Sequence, residues 1–497
     1  MAIYNDWIEH HARFRPSRVA LMDDSKRTSI TYRQLDERVG ALASALRSKY
    51  LVQRGDRVVL VSKSCSEAFE LQFSCARLGA VFVPINWRLS ADELDWIIDD
   101  CDPKVVFHDA EFAHLVGDKG PRVQIERQGA SLYEMLAAQP KSVGCETTQW
   151  EDTWMILYTS GTTGRPKGAM LSYRMMHFNV LSWLGPSRIT DRSVFLCSMP
   201  TFHTGGLNCY SNPVLYSGGT VIIQRDYDPV RALELMSDRQ LKISHFFGTP
   251  THYLMLTEVP GFAGTPLPSL EIAGMGGAPS SNSLVMTLMD KGLPMQPAYG
   301  MTEIGPAIFV TEMHDVRNKV GTCGHPTLHV EMKIVDYDGS TCATGVAGEL
   351  WVRGPVCMSG YWNNEAATRQ SFEGCWFKTG DGARVDEQGY VFIVDRLKDM
   401  FISGGENIYP AEVERVLGDH PAVLMAAVIG VANEKWGEVG VAFVVPKGGQ
   451  SVDEAALLTH CRARLARYKI PKSFRIVDDL PKNASGKILK RQLKNLL

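Results

Sequence analysis

Apolar positions recur with two different periods along the first half of the chain. In "TYRQLDERVGALASALRS", which starts at Thr31, they return every three or four residues, and this predicts an amphipathic helix with Thr31 as its N-cap. "DRVVLVS", from Asp56, is instead a short unbroken apolar run between polar ends, the pattern of a buried strand. "CARLGAVFVPINW" holds both patterns: a helix closing at Gly79, then a buried strand. Further strands are predicted in "TWMILYTS", "SVFLCSMP", "GGTVIIQ", "ISHFFGTP" and "LEIAGMGG". Strands that alternate with helical stretches predict layered α/β sheets.

From about residue 320 the pattern shortens. "VEMKIVDYDG", "GELWVRG" and "GYVFIVD" are β-type pieces between glycine-rich turns, which predicts a small barrel-like sheet subdomain. After "DRLKD" (395–399) a different order begins. It runs "AEVERVLGDH" (a helix with Pro410 at its first position), "VLMAAVIGV", "GVAFVVP", "EAALLTHCRARLARY" as a helix, and "FRIVDDL". This order suits a compact α+β unit. The boundaries drawn are 1–396 and 397–497, with no internal repeat and no low-complexity tail.

The 497-residue length requires more than one core and so agrees with that division. The formal net charge of -3 gives no reason to expect nucleic acid or an anionic membrane as the main partner. No apolar run reaches membrane-spanning length, and "MAIYNDWIEHHARF" lacks a secretory core, so a cytoplasmic protein is expected. The 11 cysteines are scattered without C-x-x-C spacing, which argues against a disulfide framework or structural zinc. The sequon at Asn483 is then never read.

The densest run of glycine and hydroxyl residues is "YTSGTTGRPKGAMLSY", residues 158–173. It is not a Walker loop: Pro166 directly precedes Lys167, and the next predicted helix begins only after Ser172. Its chemistry still suits phosphate. Glycines let backbone N–H groups point inward, the hydroxyls of Thr159, Ser160, Thr162 and Thr163 can donate, and Lys167 adds charge.

"TSGTTGRPKG" matches at every place the shared loop of the acyl-CoA synthetase and adenylate-forming superfamily. "YGMTE" (299–303), "TGD" (379–381), "DRLKDMFISGGENIYPAEVE" (395–414) and "PKNASGKILKRQL" (481–493) match further motifs of that family in the same order. The chain thus resembles bacterial fatty-acyl-CoA and aryl-CoA ligases. The resemblance implies a large N-terminal adenylation domain carrying the ATP and acyl sites, capped by a mobile C-terminal lid with its hinge near Lys398. It also implies ATP, Mg2+ and coenzyme A, and a reaction in which a carboxylate becomes an acyl-adenylate and then an acyl-CoA, releasing AMP and pyrophosphate.

Residue roles follow from the same resemblance. Lys487 matches the catalytic lysine that reaches carboxylate and α-phosphate. Glu303 would hold the magnesium with help from Thr159. Ser160, Gly161, Thr162, Thr163, Gly164 and Lys167 would cradle the triphosphate. Gly277, Ala278 and Pro279 resemble the wall between adenine and acyl group. In the run Ala298, Tyr299, Gly300, Met301 and Thr302, Tyr299 would stack on adenine and Thr302 would contact the α-phosphate. Asp381 would accept from the ribose hydroxyls and Arg396 would add a charged donor. Gly404, Gly405 and Trp436 would face the pantetheine arm after the lid turns.

His203 matches the family's histidine at the acyl-pocket mouth. The segment 203–207, with Phe246, Phe247, Gly248, Gly274, Met275 and Gly276, is expected to line that pocket. This lining offers no carboxylate to an amino acid's ammonium group, whose unpaired burial is costly, so an aromatic or medium-chain fatty acid is expected. Other readings keep the fold but change the acceptor to a carrier-protein thiol, or to oxygen as in luciferase. A non-catalytic nucleotide-binding relative is also considered. The quaternary state expected is a monomer or a homodimer.

Overall fold

The computed structural model describes the chain apart from residues 1, 4–5, 118–119, 126–131, 138–143, 160–164, 337, 397–398, 404–405, 449 and 484–485, and the side chains of 2–3, 132, 135, 396 and 407. Two large sheets dominate the first 326 residues. One has seven strands in the order Gly360–Tyr361, Lys167–Ser172, Thr153–Thr159, Val81–Ile85, Arg57–Val61, Val105–Asp109 and Arg122–Ile125. Its central strands run parallel, as buried Val/Ile-rich runs joined by helices must. The other has nine strands, and its middle runs parallel from Val19–Asp23 through Thr220–Ile223, Val194–Cys197, His245–Gly248 and Ile272–Met275 to Met295–Met301.

The helix predicted after Thr31 spans Tyr32–Lys49, with Thr31 and Gln34 in a reciprocal capping box. The helix Ser66–Leu78 ends as expected at Gly79, whose φ of 65° fits a residue without a Cβ. Several strands were not anticipated, among them Val19–Asp23, Val105–Asp109, Met295–Met301 and one that bears on the glycine-rich loop. Lys167–Ser172 pairs antiparallel with Thr153–Thr159 and sets Lys167 directly opposite Thr159. The helix Tyr173–Leu184 then starts at Ser172.

The barrel-like piece is an antiparallel sheet of Glu331–Val335, Gly348–Arg353 and Trp376–Val385, with Phe372–Glu373 and Val391–Arg396 both on Trp376–Val385. A last sheet contains Phe401–Ser403, Glu406–Ile408, Val423–Asn433, Gly437–Pro446 and Ser473–Ile476. The helices Pro410–Gly418 and Glu454–Arg462 pack on it over Val413, Leu417, Leu457 and Cys461. The second helix stops at Arg462, short of the predicted Tyr468. The fold is therefore the expected α/β architecture with a small C-terminal α+β unit. No helix among the described residues is long and apolar enough to cross a membrane.

Candidate active site

Three strand ends converge on Glu303. Thr159 closes the strand Thr153–Thr159, Glu303 sits in the single turn Thr302–Ile304 after Met295–Met301, and Tyr361 comes from an edge strand. One carboxylate oxygen of Glu303 accepts from Tyr361 Oη at 3.0 Å and lies 3.3 Å from Thr159 Oγ1. The residue is only 6% exposed, so these contacts aim the carboxylate rather than merely decorate it. Lys167 Nζ lies over the Tyr361 ring, 5.2 Å from its centroid. The grouping offers only hard oxygens, which suits a Mg2+ arriving on a triphosphate, and the charge of Lys167 stands beside it. Tyr361 was missed in the sequence. Its only signal there is an aromatic pair after a glycine, which carries no chemistry until folding sets it against Glu303.

Beside this cluster the hairpin Met295–Met301 and Gly305–Val310 presents Tyr299. Phe309 stacks on its ring at 5.6 Å and 20°. Its hydroxyl donates to Asp381 Oδ2 at 2.5 Å, which ties the hairpin to the barrel-like sheet. Asp381 is 3% exposed and stands opposite Arg396 in the strand register. Gly300 is required here, since a Cβ would come within 2.4 Å of the Gly305 carbonyl oxygen. Ala298 is buried, Met301 half-buried and Thr302 buried in the same stretch. The Gly277–Ala278–Pro279 segment leaves the end of Ile272–Met275 with Gly277 at φ 82°.

The C-terminal unit reaches the same face through the loop before its last helix. Asn483 closes that loop by accepting the N–H of Gly486 at 2.9 Å and that of Lys487 at 2.8 Å. Gly486, at φ 79°, then accepts from Thr251 Oγ1 at 3.1 Å, at the start of the helix Pro250–Thr257. Docking there brings Lys487 close enough to be felt by His203. The imidazole is held well below its usual range, at about 4, by burial and then by the charge of Lys487. Its Nδ1 accepts the Gly205 N–H at 3.1 Å, which leaves the proton on Nε2. Nearby, Lys482 pairs with Asp479 at 2.5 Å and Lys490 with Glu414 at 2.7 Å.

The strand pleat corrects part of the acyl-pocket assignment. Phe247, Gly274 and Gly276 share a face: a Cβ on Gly274 would meet Phe247, and one on Gly276 would meet Phe247 and the Ala298 carbonyl. Phe246 and Met275 point the other way, into the core beneath the helices with Tyr253, Leu256 and Leu284. Side chains alternate along a strand, so neighbours in sequence cannot all face one cavity. The segment after His203 forms a π-helical turn, Gly205–Cys209, pressed so closely that a Cβ on Gly206 would lie 2.3 Å from the Pro200 carbonyl oxygen.

Ser160, Gly161, Thr162, Thr163, Gly164, Lys398, Gly404 and Gly405 lie outside the described residues, as does the Arg396 side chain. Trp436 is 42% exposed at a turn of the C-terminal unit, below Lys472 and apart from the groups around Glu303, Asp381 and His203.

A two-part α/β fold whose C-terminal loop meets Thr251 near His203, beside an oriented carboxylate and a tyrosine–aspartate pair, agrees with the class of adenylate-forming enzymes. The AMP-binding enzyme family model matches residues 8–362, and the AMP-binding enzyme C-terminal domain model matches 412–487. The chain belongs to the AMP-binding enzyme family. It is 38% identical over 488 residues to a feruloyl-CoA synthase of Amycolatopsis sp, covering 98% of each chain. The o-succinylbenzoate CoA synthetase (MenE) of Bacillus subtilis, solved with the acyl-adenylate intermediate OSB-AMP, superposes with a TM-score of 0.89 at 31% identity, over 99% of this chain and 98% of that one. The same synthetase has been solved with ATP and magnesium ion. The anthranilate CoA ligase AuaEII in complex with anthranoyl-AMP gives a TM-score of 0.92 at 27% identity, over 99% and 97%. The protein is an ATP-dependent acid–thiol ligase that couples a carboxylic acid to coenzyme A through an acyl-adenylate, using ATP and Mg2+.

Proposed function

We propose that the acid is aromatic and that the side chains gathered above divide the two half-reactions between them. A carboxylate is a poor acylating agent because its charge is spread over two oxygens. Its attack on the α-phosphorus of ATP, with pyrophosphate leaving, makes the acyl carbon electrophilic. Two anions must first be brought together, and positioned positive charge is the means. Lys487 supplies it: the loop that Asn483 closes and Thr251 receives carries the ammonium group to the pocket mouth. Glu303, aimed by Thr159 and Tyr361, would hold the Mg2+ that neutralises the triphosphate. Tyr299, backed by Phe309, would carry the adenine, and Asp381 beside it would accept from the ribose. Neutral His203 keeps a second positive charge away from Lys487 and offers its Nε2–H at the mouth.

The observation that carries this reading is the meeting of Gly486 with Thr251, because it brings the loop of Lys487, in the last 15 residues of a 497-residue chain, onto a residue 235 positions before Gly486. It is the posture suited to the first half-reaction. Ile402 and Trp436, exposed at 49% and 42%, would belong to the face presented to CoA once the lid turns about Lys398, at the boundary between 1–396 and 397–497. The aromatic acids in the names of the three relatives support an aryl substrate over a fatty acid. A cytoplasmic monomer or homodimer acting on a small free acid agrees with these features.

The test is pyrophosphate release across benzoic, cinnamic, arylacetic and linear acids, each with free CoA or a carrier-protein thiol. Thioester formation with CoA and a ring-bearing acid is expected. Release confined to linear acids would overturn the substrate class, and transfer only to the carrier protein would overturn the acceptor.

A further inference from the structure

Behind Gly274 lies a wedge of aromatic rings that neither half-reaction uses. Tyr210 follows the π-helical turn and is fully buried. Its ring meets Trp183, Phe195 and Phe247 edge-on at 4.9, 5.4 and 5.4 Å, and His245 at 5.7 Å. Its hydroxyl is pinned as well. It donates to Gln296 Oε1 at 3.2 Å, and the same oxygen accepts from Ser187 Oγ at 2.6 Å. Gln296 in turn donates to the Pro186 carbonyl at 2.8 Å, and His245 Nε2 bonds the Ser187 carbonyl at 2.8 Å. Gln296, Ser187 and His245 are each 0% exposed, so these bonds have no water to compete with them.

The consequence falls at Gly274. A glycine in a pocket wall ordinarily adds depth. Here the volume is taken: a Cβ on Gly274 would lie 2.5 Å from both the Tyr210 hydroxyl and Phe247 Cδ2. Phe247, itself 3% exposed, has the rings of Tyr210 and Trp183 packed edge-on against it. We propose that Tyr210 is a positioning residue for specificity: it fixes Phe247 as the end of the acyl pocket and confines the enzyme to acids about one ring deep. The proposal rests on the aryl-acid reading above and adds to it the group that sets the length limit.

Buried methylenes raise affinity about fourfold each while space lasts. One methylene too many costs about tenfold or more in kcat/KM. In linear acids from C4 to C12, the wild-type enzyme should therefore climb to a maximum and then fall at least about tenfold within two further methylenes. In Tyr210→Ala the maximum should move to acids longer by two or more methylenes, through a lower KM for the long acids. Tyr210→Phe keeps the ring and should keep the wild-type maximum. If Tyr210→Ala does not fold by circular dichroism and thermal melting, Tyr210→Leu carries the same test with more packing retained. A folded Tyr210→Ala or Tyr210→Leu with an unmoved maximum overturns the proposal. So does a wild-type enzyme with no length limit, or a Tyr210→Phe shifted as far as Tyr210→Ala. Turnover of linear acids without any ring acid would instead sink the aryl reading and leave the length comparison readable.

Discussion

In the proposed division of roles Lys487 and Glu303 would act on opposite ends of one displacement, and their substitutions should separate accordingly. Lys487→Ala is expected to lower acyl-adenylate formation by about 10²- to 10³-fold, the size of losing one oriented electrostatic group. Transfer to CoA from a pre-made acyl-adenylate should persist, since that step follows withdrawal of the lysine. Stopped-flow pyrophosphate and thioester assays distinguish the two, and equal loss in both would remove the lysine from its role. Glu303→Gln keeps the shape that Tyr361 and Thr159 hold but removes the charge, so the Mg2+ concentration for half-maximal rate should rise at least about tenfold. An unaltered magnesium titration would move the metal elsewhere. His203 makes a pH statement. With its folded value at about 4 and its unfolded value near the usual 6.5, the unfolded chain binds the extra proton between those limits. Its contribution to stability is complete above about pH 6.5 and is lost as pH falls toward 4. His203→Asn should therefore flatten the decline of the urea midpoint over that window, and an equally steep decline would show that His203 is not a source of it.

The elements explain why some of this could be read from sequence and some could not. The N-cap at Thr31, the helix end at Gly79 and the apolar periods act through contacts a few residues apart, and the N-cap and the helix end are present as anticipated. The strand Lys167–Ser172 was hidden because its pairing with Thr153–Thr159 spans the phosphate-type loop, and the sequence of that loop draws attention to ligand chemistry instead. The pocket wall was half legible. The run Phe246–Phe247 reads as one apolar patch, yet the pleat sends its members to opposite sides of the sheet. Tyr361 and Tyr210 could not be read at all, because each acquires its role from a partner many residues away. Gly300 tests the element scale most sharply. Gly300→Ala would push a Cβ into the backbone of the facing strand, so the hairpin holding Tyr299 and Glu303 must shift. ATP-dependent turnover should fall more than about tenfold, because displacement by about 1 Å costs that much in an oriented site. Full activity in a folded Gly300→Ala protein would show that the hairpin geometry is not critical.

At the scale of the whole molecule, polar contacts join the C-terminal unit to the first, among them the Ala411 N–H donating to Asp395 at 2.6 Å. Gly486 meets Thr251, and near the helix Asn282–Asp290 the Ser283 N–H donates to Asp419 at 3.1 Å while its hydroxyl donates to the Gly418 carbonyl at 3.1 Å. Exposed hydrogen bonds of this kind would suit the proposed lid movement. Asp419→Ala should weaken this posture alone, lowering adenylation by a few-fold at most, since an exposed bond of this type is worth about 1 kcal/mol, and leaving the thioester step unchanged. A larger effect on the thioester step would place Asp419 in the other posture. The central claim is that an organic acid becomes bonded to the α-phosphorus of ATP. It is tested most directly by supplying a ring acid labelled with ¹⁸O in both carboxylate oxygens, together with ATP, Mg2+ and CoA. Mass spectrometry of the products should find one labelled oxygen in AMP and none in pyrophosphate. Label in inorganic phosphate with ADP as the nucleotide product, or unlabelled AMP beside finished thioester, would contradict the account.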